Sequence, residues 1–252
     1  MIELWGLVSP NAIKVQILLE ELGLPYRAHK VDTFRLQQYS PEFLAMNPIG
    51  KYPVLIDPDG AGPDQPIFES GAILIYLAET YGQALLPMSG PARWETLKWL
   101  VAQVAWVGPM LGQHHHFYLH PSETDTYAGK RYQRQANRVM DVLEGRIRDR
   151  SYFAGEHYSV ADIAIYPWLH WMNSMGYAWD DYPSLSAWHA RVEVRPAVGS
   201  VYTKVRGYQQ DMAEFIETNR TNPEAFNAYF GREAGAKQLP DFGIGLPSAA
   251  PK

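Results

Sequence analysis

The chain has 252 residues, enough for one large domain or two smaller ones, each with its own core. Hydrophobic residues make up 46% of the chain and charged residues 19%, which excludes a disordered polyelectrolyte, and the net charge of −5 argues against a general binder of nucleic acid or anionic membranes. Cysteine is absent, so the chain has no disulfide, no cysteine-ligated metal site and no thiol nucleophile of its own.

The first residues, Met1–Leu4, carry an acidic side chain and no basic segment, which is unlike a secretory signal peptide. The longest apolar stretch, residues 99–112, is too short to cross a bilayer. We therefore expect a cytoplasmic protein without a membrane partner.

Short apolar runs alternate with helical periodicity over residues 1–86. Strands are predicted at residues 2–5, 26–31, 53–56 and 66–68. Helices are predicted after Ser9, ending at Gly23, and over residues 41–46 and 70–81. The order β-α-β-α-β-β-α predicts an α/β domain, in which the helix between the first two strands makes them parallel.

Residues 87–91 are rich in proline and glycine and predict a linker. Beyond it the periodicity predicts an all-α domain over residues 92–206, with helices at 92–119, 122–150, 160–176 and 183–195. Ser159 and Asp162 form a capping-box pattern at the start of the third of these helices. Residues 207–252 are predicted to be a partly irregular C-terminal extension.

Three features of the first domain suggest a ligand site. Ser9-Pro10-Asn11 places a hydroxyl and an amide at a helix N-terminus, which favours an anion but also suits a simple N-cap. Tyr52-Pro53 opens a strand, and a cis peptide there would leave the Tyr52 backbone free to pair with a ligand, although an edge-strand proline has the same pattern.

The third feature is Glu69-Ser70 at the start of a helix, where a carboxylate and a hydroxyl can hold an amine and a carboxylate. A simple N-cap is again the alternative. Together the three features fit a short thiol peptide that lies in extended form.

These motifs resemble those of the glutathione S-transferases, most closely the bacterial Nu class, which is similar to disulfide-bond oxidoreductases. The matching segments extend to about residue 205 and are Ser9–Asn11, Asn47–Lys51, Phe68–Leu74, Gly108–Gln113, Arg131–Gln133 and Tyr158–Ala164. The resemblance implies a thioredoxin-like N-terminal domain, an all-α C-terminal domain, a homodimer and glutathione as the bound co-substrate.

The resemblance also implies roles for individual residues. Ser9, where the class has threonine, and Asn11 would contact the glutathione sulfur. Gln38 and Lys51 would hold the glycine carboxylate, while Tyr52, followed by Pro53, would pair with the cysteinyl backbone. The remaining implied contacts are Glu69 and Ser70 at the γ-glutamyl end and Arg131 reaching a neighbouring subunit's ligand.

The second domain offers fewer specific signals. His114-His115-His116 suggests a metal, but consecutive helical side chains diverge by about 100° and do not converge on one ion, so no metal is expected. A second-substrate pocket is predicted from Trp106, His114, His115 and Tyr166, for which a core role is the alternative. Arg131, Arg134 and Arg138 share a helix face, which fits a solvated or dimer-facing surface better than a nucleic-acid site.

We therefore predict an enzyme that uses the thiolate of bound glutathione to reduce small disulfides, with some transferase activity on hydrophobic electrophiles. Two alternatives remain open: a glutathione-dependent lyase that cleaves aromatic ethers, and a non-catalytic glutathione-binding regulatory module.

Overall fold

The computed structural model describes residues 1–119 and 126–207. Four strands form one sheet in the order β2-β1-β3-β4, namely β1 (Ile2–Trp5), β2 (Tyr26–His29), β3 (Val54–Ile56) and β4 (Ile67–Phe68). β1 pairs parallel with β2, and β3 pairs antiparallel with both β1 and β4. Three helices complete this part, α1 (Pro10–Glu21), α2 (Pro41–Met46) and α3 (Ser70–Tyr81). The predicted α/β domain and its element order are confirmed.

Helix α1 has well-defined ends. Ser9 is its N-cap, accepting a hydrogen bond from the Ala12 amide at 3.2 Å, and Pro10 occupies the first turn, where no amide donor is needed. At the other end Gly23 adopts a left-handed φ of 63° and donates to the Glu20 carbonyl, while Leu24 donates back to Leu19. This pair of bonds closes the helix at the predicted glycine.

The rest of the described chain is helical. Its α-helices are α4 (Gly90–Ala102), α5 (Gly108–Tyr118), α6 (Tyr127–Ile147), α7 (Val160–His170) and α8 (Pro183–Glu193). Short 3₁₀ turns at Met172–Met175 and Trp179–Asp181 lie between α7 and α8. Residues 196–207, after α8, are also helical. The predicted all-α domain is confirmed, although the linker and domain limits stay predictions. The predicted helix start at Ser122 and the predicted extension, apart from residue 207, lie outside the described residues.

The predicted single helix over residues 92–119 is wrong in one respect. A π-helical segment, Gln103–Val107, separates α4 from α5, and the Gly108 amide donates to the Gln103 carbonyl. Pro109 explains the widened turn, because it has no amide proton and its ring clashes with the carbonyl four residues earlier. Similarly, the helix predicted to reach Gly176 ends at His170 and continues as a 3₁₀ turn.

The capping box at the start of α7 is confirmed. The Ser159 hydroxyl accepts from the Ala161 amide at 3.3 Å, and Asp162 accepts from the Ser159 amide at 3.0 Å. The fully buried Asp162 carboxylate also accepts from the Phe153 amide and the Trp188 indole. Burial raises the pKa of this carboxyl to about 6, while these donors oppose the rise.

The two parts share one hydrophobic core, because α1 packs against both α3 and α7. The Val160 amide donates to the Leu85 carbonyl at 3.0 Å, and the Arg195 guanidinium makes two bonds to Glu21, at 2.6 and 2.8 Å. This packing fixes the groove between the α/β and helical parts. Among residues 1–119 and 126–207, no helix combines the length and apolar character needed to cross a bilayer.

Candidate active site

A polar cleft of about 470 Å³ lies between the α/β part and the helical part. Its α/β wall consists of Asn11, Lys51, Glu69 and Ser70. Its helical wall consists of Gln103, Val104, Gly108, Pro109, Gly112, Gln113 and Trp168. Three separate loops and helix starts of the first domain therefore converge on one space.

The floor of the cleft is the N-terminus of α1. Asn11 lies in the first turn and faces the cleft, where unpaired amides of a helix start favour negative charge. Ser9 precedes it, half-buried, with its oxygen accepting the cap bond from Ala12. That bond uses a lone pair, so the hydroxyl proton can still be donated to an anion.

Lys51 is exposed at the cleft mouth, at the end of a loop that Asn47 organises. The Asn47 side chain donates to the Lys51 carbonyl at 2.6 Å and accepts from the Ile49 amide at 3.0 Å. The Tyr52-Pro53 peptide is cis, as the sequence pattern indicates. Gly6 allows the Tyr52 ring to pack close to β1, since a Cβ at Gly6 would lie 2.6 Å from that ring.

Glu69 and Ser70 form the corner before α3. Glu69 has a φ of 68° and a ψ of 108°, a conformation rare for a residue with a side chain. It turns the chain so that the exposed Glu69 carboxylate and the Ser70 hydroxyl, only 6% exposed, both line the cleft. Strained backbone of this kind clusters at ligand-binding positions.

A second, mainly apolar cleft of about 460 Å³ adjoins the polar one. Its lining residues are Val8, Pro10, Gly112, His115, Trp168, Trp171, Ser174 and Met175. Gly112 and Trp168 line both clefts, and a Cβ at Gly112 would lie 3.4 Å from the indole, so the glycine lets the ring form a shared wall. Pro10 lines the apolar cleft and the next residue, Asn11, lines the polar one, so the Ser9–Asn11 turn lies where the two clefts meet.

Comparison with known proteins identifies the family. The family model for the glutathione S-transferase N-terminal domain matches residues 1–79, and the model for the C-terminal domain of the same enzymes matches residues 109–196. The chain belongs to the glutathione S-transferase superfamily. The predicted family, fold class and enzyme class are confirmed.

Similar proteins place this glutathione S-transferase on the Nu-like branch. It is 41% identical over 208 residues to the disulfide-bond oxidoreductase YfcG of Escherichia coli, covering 82% of this chain and 96% of that protein. A glutathione transferase family member from Pseudomonas fluorescens, solved with two glutathione molecules bound, shares 41% identity with a TM-score of 0.72, covering 79% and 91% of the two chains.

A third similar protein is a glutathione transferase from Pseudomonas putida, whose structure holds one glutathione disulfide per subunit. It shares 39% identity with this chain at a TM-score of 0.71, and the match covers 79% of this chain and 90% of that one.

Among the residues predicted for the second-substrate pocket of this transferase, only His115 lines the apolar cleft. His114 is buried and its Nε2 lies 2.9 Å from the Met175 carbonyl oxygen, a structural contact. Tyr166 is fully buried and stacks on His189, with ring centroids 4.7 Å apart. Trp106 is half-buried and packs against the core. The side chains of His114, Tyr166 and Trp106 point away from the apolar cleft because of how their helices are rotated about their axes. Residue spacing in the sequence does not determine that rotation.

Five of the predicted glutathione contacts are not among the residues that line the polar cleft of the single chain: Ser9, Gln38, Tyr52, Pro53 and Arg131. Gln38 is buried, 6% exposed, in a 3₁₀ turn, and its Oε1 has no hydrogen-bond partner among the described residues. Arg131 is exposed on α6 beside Tyr127 and Arg134. A role for Arg131 therefore requires a ligand from outside its own cleft.

The three consecutive histidines diverge as helical geometry requires. His114 contacts the Met175 carbonyl, His115 lines the apolar cleft, and His116 packs edge-on against Phe117. Within the part of the chain that the structure describes, no three histidine, cysteine, aspartate or glutamate side chains are grouped as metal ligands.

Sequence reasoning missed Lys14 and Gln103. The Lys14 side chain is fully buried in α1, and its Nζ donates to Gln103 Oε1 at 2.6 Å. Burial lowers the pKa of Lys14 to about 7, with the Glu69 carboxylate opposing the shift. The available signal was a lone cation in the segment Ala12–Leu19, whose other residues except Gln16 are apolar.

Proposed function

We propose that this glutathione S-transferase binds glutathione in the polar cleft and uses its thiolate to reduce small disulfides, with some transfer activity on hydrophobic electrophiles. The observation that carries this proposal is the position of the Ser9–Asn11 turn at the junction of the two clefts. A sulfur held there lies beside the space that a second substrate would fill.

The proposed contacts follow the shape of the cleft. Glu69 would pair with the γ-glutamyl amine and Ser70 with its carboxylate, because both flank the N-terminus of α3. Lys51 would reach the glycine carboxylate at the cleft mouth, and the Tyr52 backbone would pair with the cysteinyl residue. Gln38, whose backbone carbonyl oxygen would lie 3.2 Å from a Cβ at Gly50, would hold the glycine carboxylate together with Lys51.

The task of the α1 N-terminus is to ionise the thiol. A free thiol with a pKa near 8.5 is only about 3% ionised at pH 7, and lowering that pKa by about 2 units makes most of it thiolate, for about 2.7 kcal/mol. Hydrogen bonds from Ser9 and Asn11, together with the helix dipole, can supply that amount. No protein base is needed.

The thiolate would then attack one sulfur of a disulfide in the apolar cleft. The disulfide bond breaks, a mixed disulfide with glutathione forms, and the other half leaves as a thiolate that takes up a proton. A second glutathione thiolate attacks the glutathione sulfur of the mixed disulfide, which releases the second thiol and glutathione disulfide. Two glutathione molecules supply both electrons, so the lack of cysteine in the chain is no obstacle.

The names of similar proteins support this reaction class. YfcG is named a disulfide-bond oxidoreductase, and the Pseudomonas structures hold two glutathione molecules or one glutathione disulfide. We further propose that the protein is a homodimer, in which the exposed Arg131 of one subunit reaches the ligand of the other.

The aromatic wall of the apolar cleft, Trp168 and Trp171, favours a second candidate, cleavage of aromatic ethers by the same thiolate. A single set of assays separates the two. The full chain is incubated with glutathione and bis(2-hydroxyethyl) disulfide, a β-aryl ether or an aryl halide. Disulfide turnover that falls at least tenfold in Asn11→Ala, and not in the distant control Asn137→Ala, supports the proposal.

Release of phenol from the ether without disulfide turnover would replace the proposed reductase by a lyase. Glutathione binding without turnover of any substrate would instead indicate a binding module. Absence of glutathione binding to the wild-type protein would overturn the proposed site itself.

A further inference from the structure

The Lys14–Gln103 pair joins the α/β part to the helical part directly beneath the polar cleft. Lys14 is fully buried in α1, and Gln103, 1% exposed, begins the π-helical segment. Lysine is almost never fully buried without a partner, because desolvating its charge is costly. Its ammonium donates to Gln103 Oε1 across 2.6 Å. Such a costly contact beside a ligand cleft needs an explanation beyond packing.

The contact fixes which way the Gln103 amide points. Because Lys14 Nζ donates to the carbonyl oxygen of the amide, the NH₂ group of Gln103 points the other way. Gln103 Nε2 lies beside Gly108, where an added Cβ would stand 2.9 Å from it, and both residues line the polar cleft. The donor end of the amide is therefore on the cleft side.

Across the polar cleft from Gln103, the wall is formed by the start of α3. Gly71 packs against Val104, the residue after Gln103, so closely that a Cβ at Gly71 would lie 2.9 Å from the valine side chain. Ser70, immediately before Gly71, lines the same cleft. A carboxylate at the N-terminus of α3 would thus have the Gln103 donor facing it from the helical part.

We propose that Gln103 Nε2 donates to the α-carboxylate of the ligand's γ-glutamyl group, opposite Ser70, and that Lys14 is the positioning residue that orients the Gln103 amide. This inference rests on the proposed glutathione site and adds a contact from the second domain. It gives the π-helical segment a function, because the widened turn carries Gln103.

The test compares two ligands in calorimetric titrations of the full chain. One is glutathione, and the other is γ-aminobutyryl-cysteinyl-glycine, which keeps the amine but lacks the α-carboxylate. Gln103→Glu keeps an oxygen acceptor for Lys14 and removes the donor, whereas Gln103→Met removes both. We expect each variant to weaken glutathione binding by about 10- to 100-fold, the range for a lost bond to a charged group, and to change analogue binding less than about threefold.

Lys14 is tested by a double-mutant cycle. Lys14→Met should weaken glutathione binding in the wild-type background but not in the Gln103→Met background, since it acts through Gln103. Gln83→Met, at an exposed glutamine that lines neither cleft, should leave the ratio of the two affinities unchanged. Thermal unfolding of each variant reports whether it is folded. If Lys14→Met does not fold, Gln103→Glu still tests the contact between Gln103 and the ligand, because it keeps an oxygen acceptor for Lys14.

Equal loss of affinity for both ligands, or no loss, in folded Gln103 variants would overturn this inference while leaving the glutathione site intact. Additive effects of Lys14→Met and Gln103→Met would overturn the positioning role. Failure of the wild-type protein to bind glutathione would overturn the proposed function and this contact with it.

Discussion

Replacing Lys14 by Met should change how the stability of the ligand-free protein depends on pH. In the folded state the pKa of Lys14 is lowered from 10.5 to about 7, so between these values the unfolded chain binds more protons than the folded one. Wild-type stability therefore gains a contribution that rises with pH across this window. Below pH 7 the full penalty of the buried charge, up to about 5 kcal/mol, opposes folding.

Met is close in volume to Lys and removes this penalty, but it leaves Gln103 Oε1 without its donor, at a cost of about 1–3 kcal/mol. Lys14→Met should therefore be more stable than wild type by about 2–4 kcal/mol at pH 6. The advantage should fall by about 1.4 kcal/mol per pH unit above pH 7 and reverse sign between about pH 8.5 and pH 10.

The measurement is urea denaturation of both proteins from pH 6 to pH 10 at one protein concentration, because association would shift apparent stability. Comparing the two proteins at each pH cancels the titration of all other groups. A stability difference that stays flat across this range would refute the assignment of Lys14 as a buried amine with a lowered pKa.

Three further predictions concern individual side chains. Ser70→Ala should weaken glutathione binding by about 1–3 kcal/mol, measured by calorimetry, because a buried hydroxyl partner is lost. Asn11→Ala should raise the pKa of the bound thiol toward the free value of about 8.5, measured by the ultraviolet absorbance of the thiolate. Asp162→Ala should lower the free energy of unfolding by at least about 3 kcal/mol in urea, since the Phe153 amide and Trp188 indole lose their acceptor.

Each prediction has a contrary outcome. Unchanged affinity in Ser70→Ala would mean that the γ-glutamyl end binds elsewhere. A bound thiol pKa that stays low in Asn11→Ala would leave Ser9 and the helix N-terminus as its only stabilisers. Asp180→Ala, at an exposed aspartate, should change stability by less than about 0.5 kcal/mol, and a similar loss in both aspartate variants would contradict the role of the buried cap.

Local rules predicted those parts of the fold that depend on neighbours in sequence. Ser9 and Pro10 mark the start of α1, Gly23 marks its end, and the Ser159–Asp162 box starts α7, each through hydrogen bonds within a few residues. The Ser9–Asn11 and Glu69–Ser70 motifs lie at helix starts for the same reason, and the sheet brings these helix starts to one side.

Contacts between distant segments were not predictable in this way. Lys14 looks like a solvent-facing residue in sequence, yet α1 is buried from Ala12 to Leu19 because both α3 and α7 pack against it. His114 and Tyr166 were expected to line the second-substrate pocket, but both side chains are buried and neither lines the apolar cleft. The π-helical turn at Gln103–Val107 depends on Pro109, which comes later in the chain than the residues whose conformation it changes.

In the proposed complex, glutathione lies across the polar cleft with its sulfur at the junction of the two clefts. A crystal structure of the protein grown with glutathione tests this most directly. We expect the sulfur within hydrogen-bonding distance of Asn11 and Ser9, the γ-glutamyl group at Glu69 and Ser70, and a second glutathione molecule extending into the apolar cleft beside Trp168. A sulfur directed away from the α1 N-terminus, or glutathione bound outside these clefts, would contradict the proposed site.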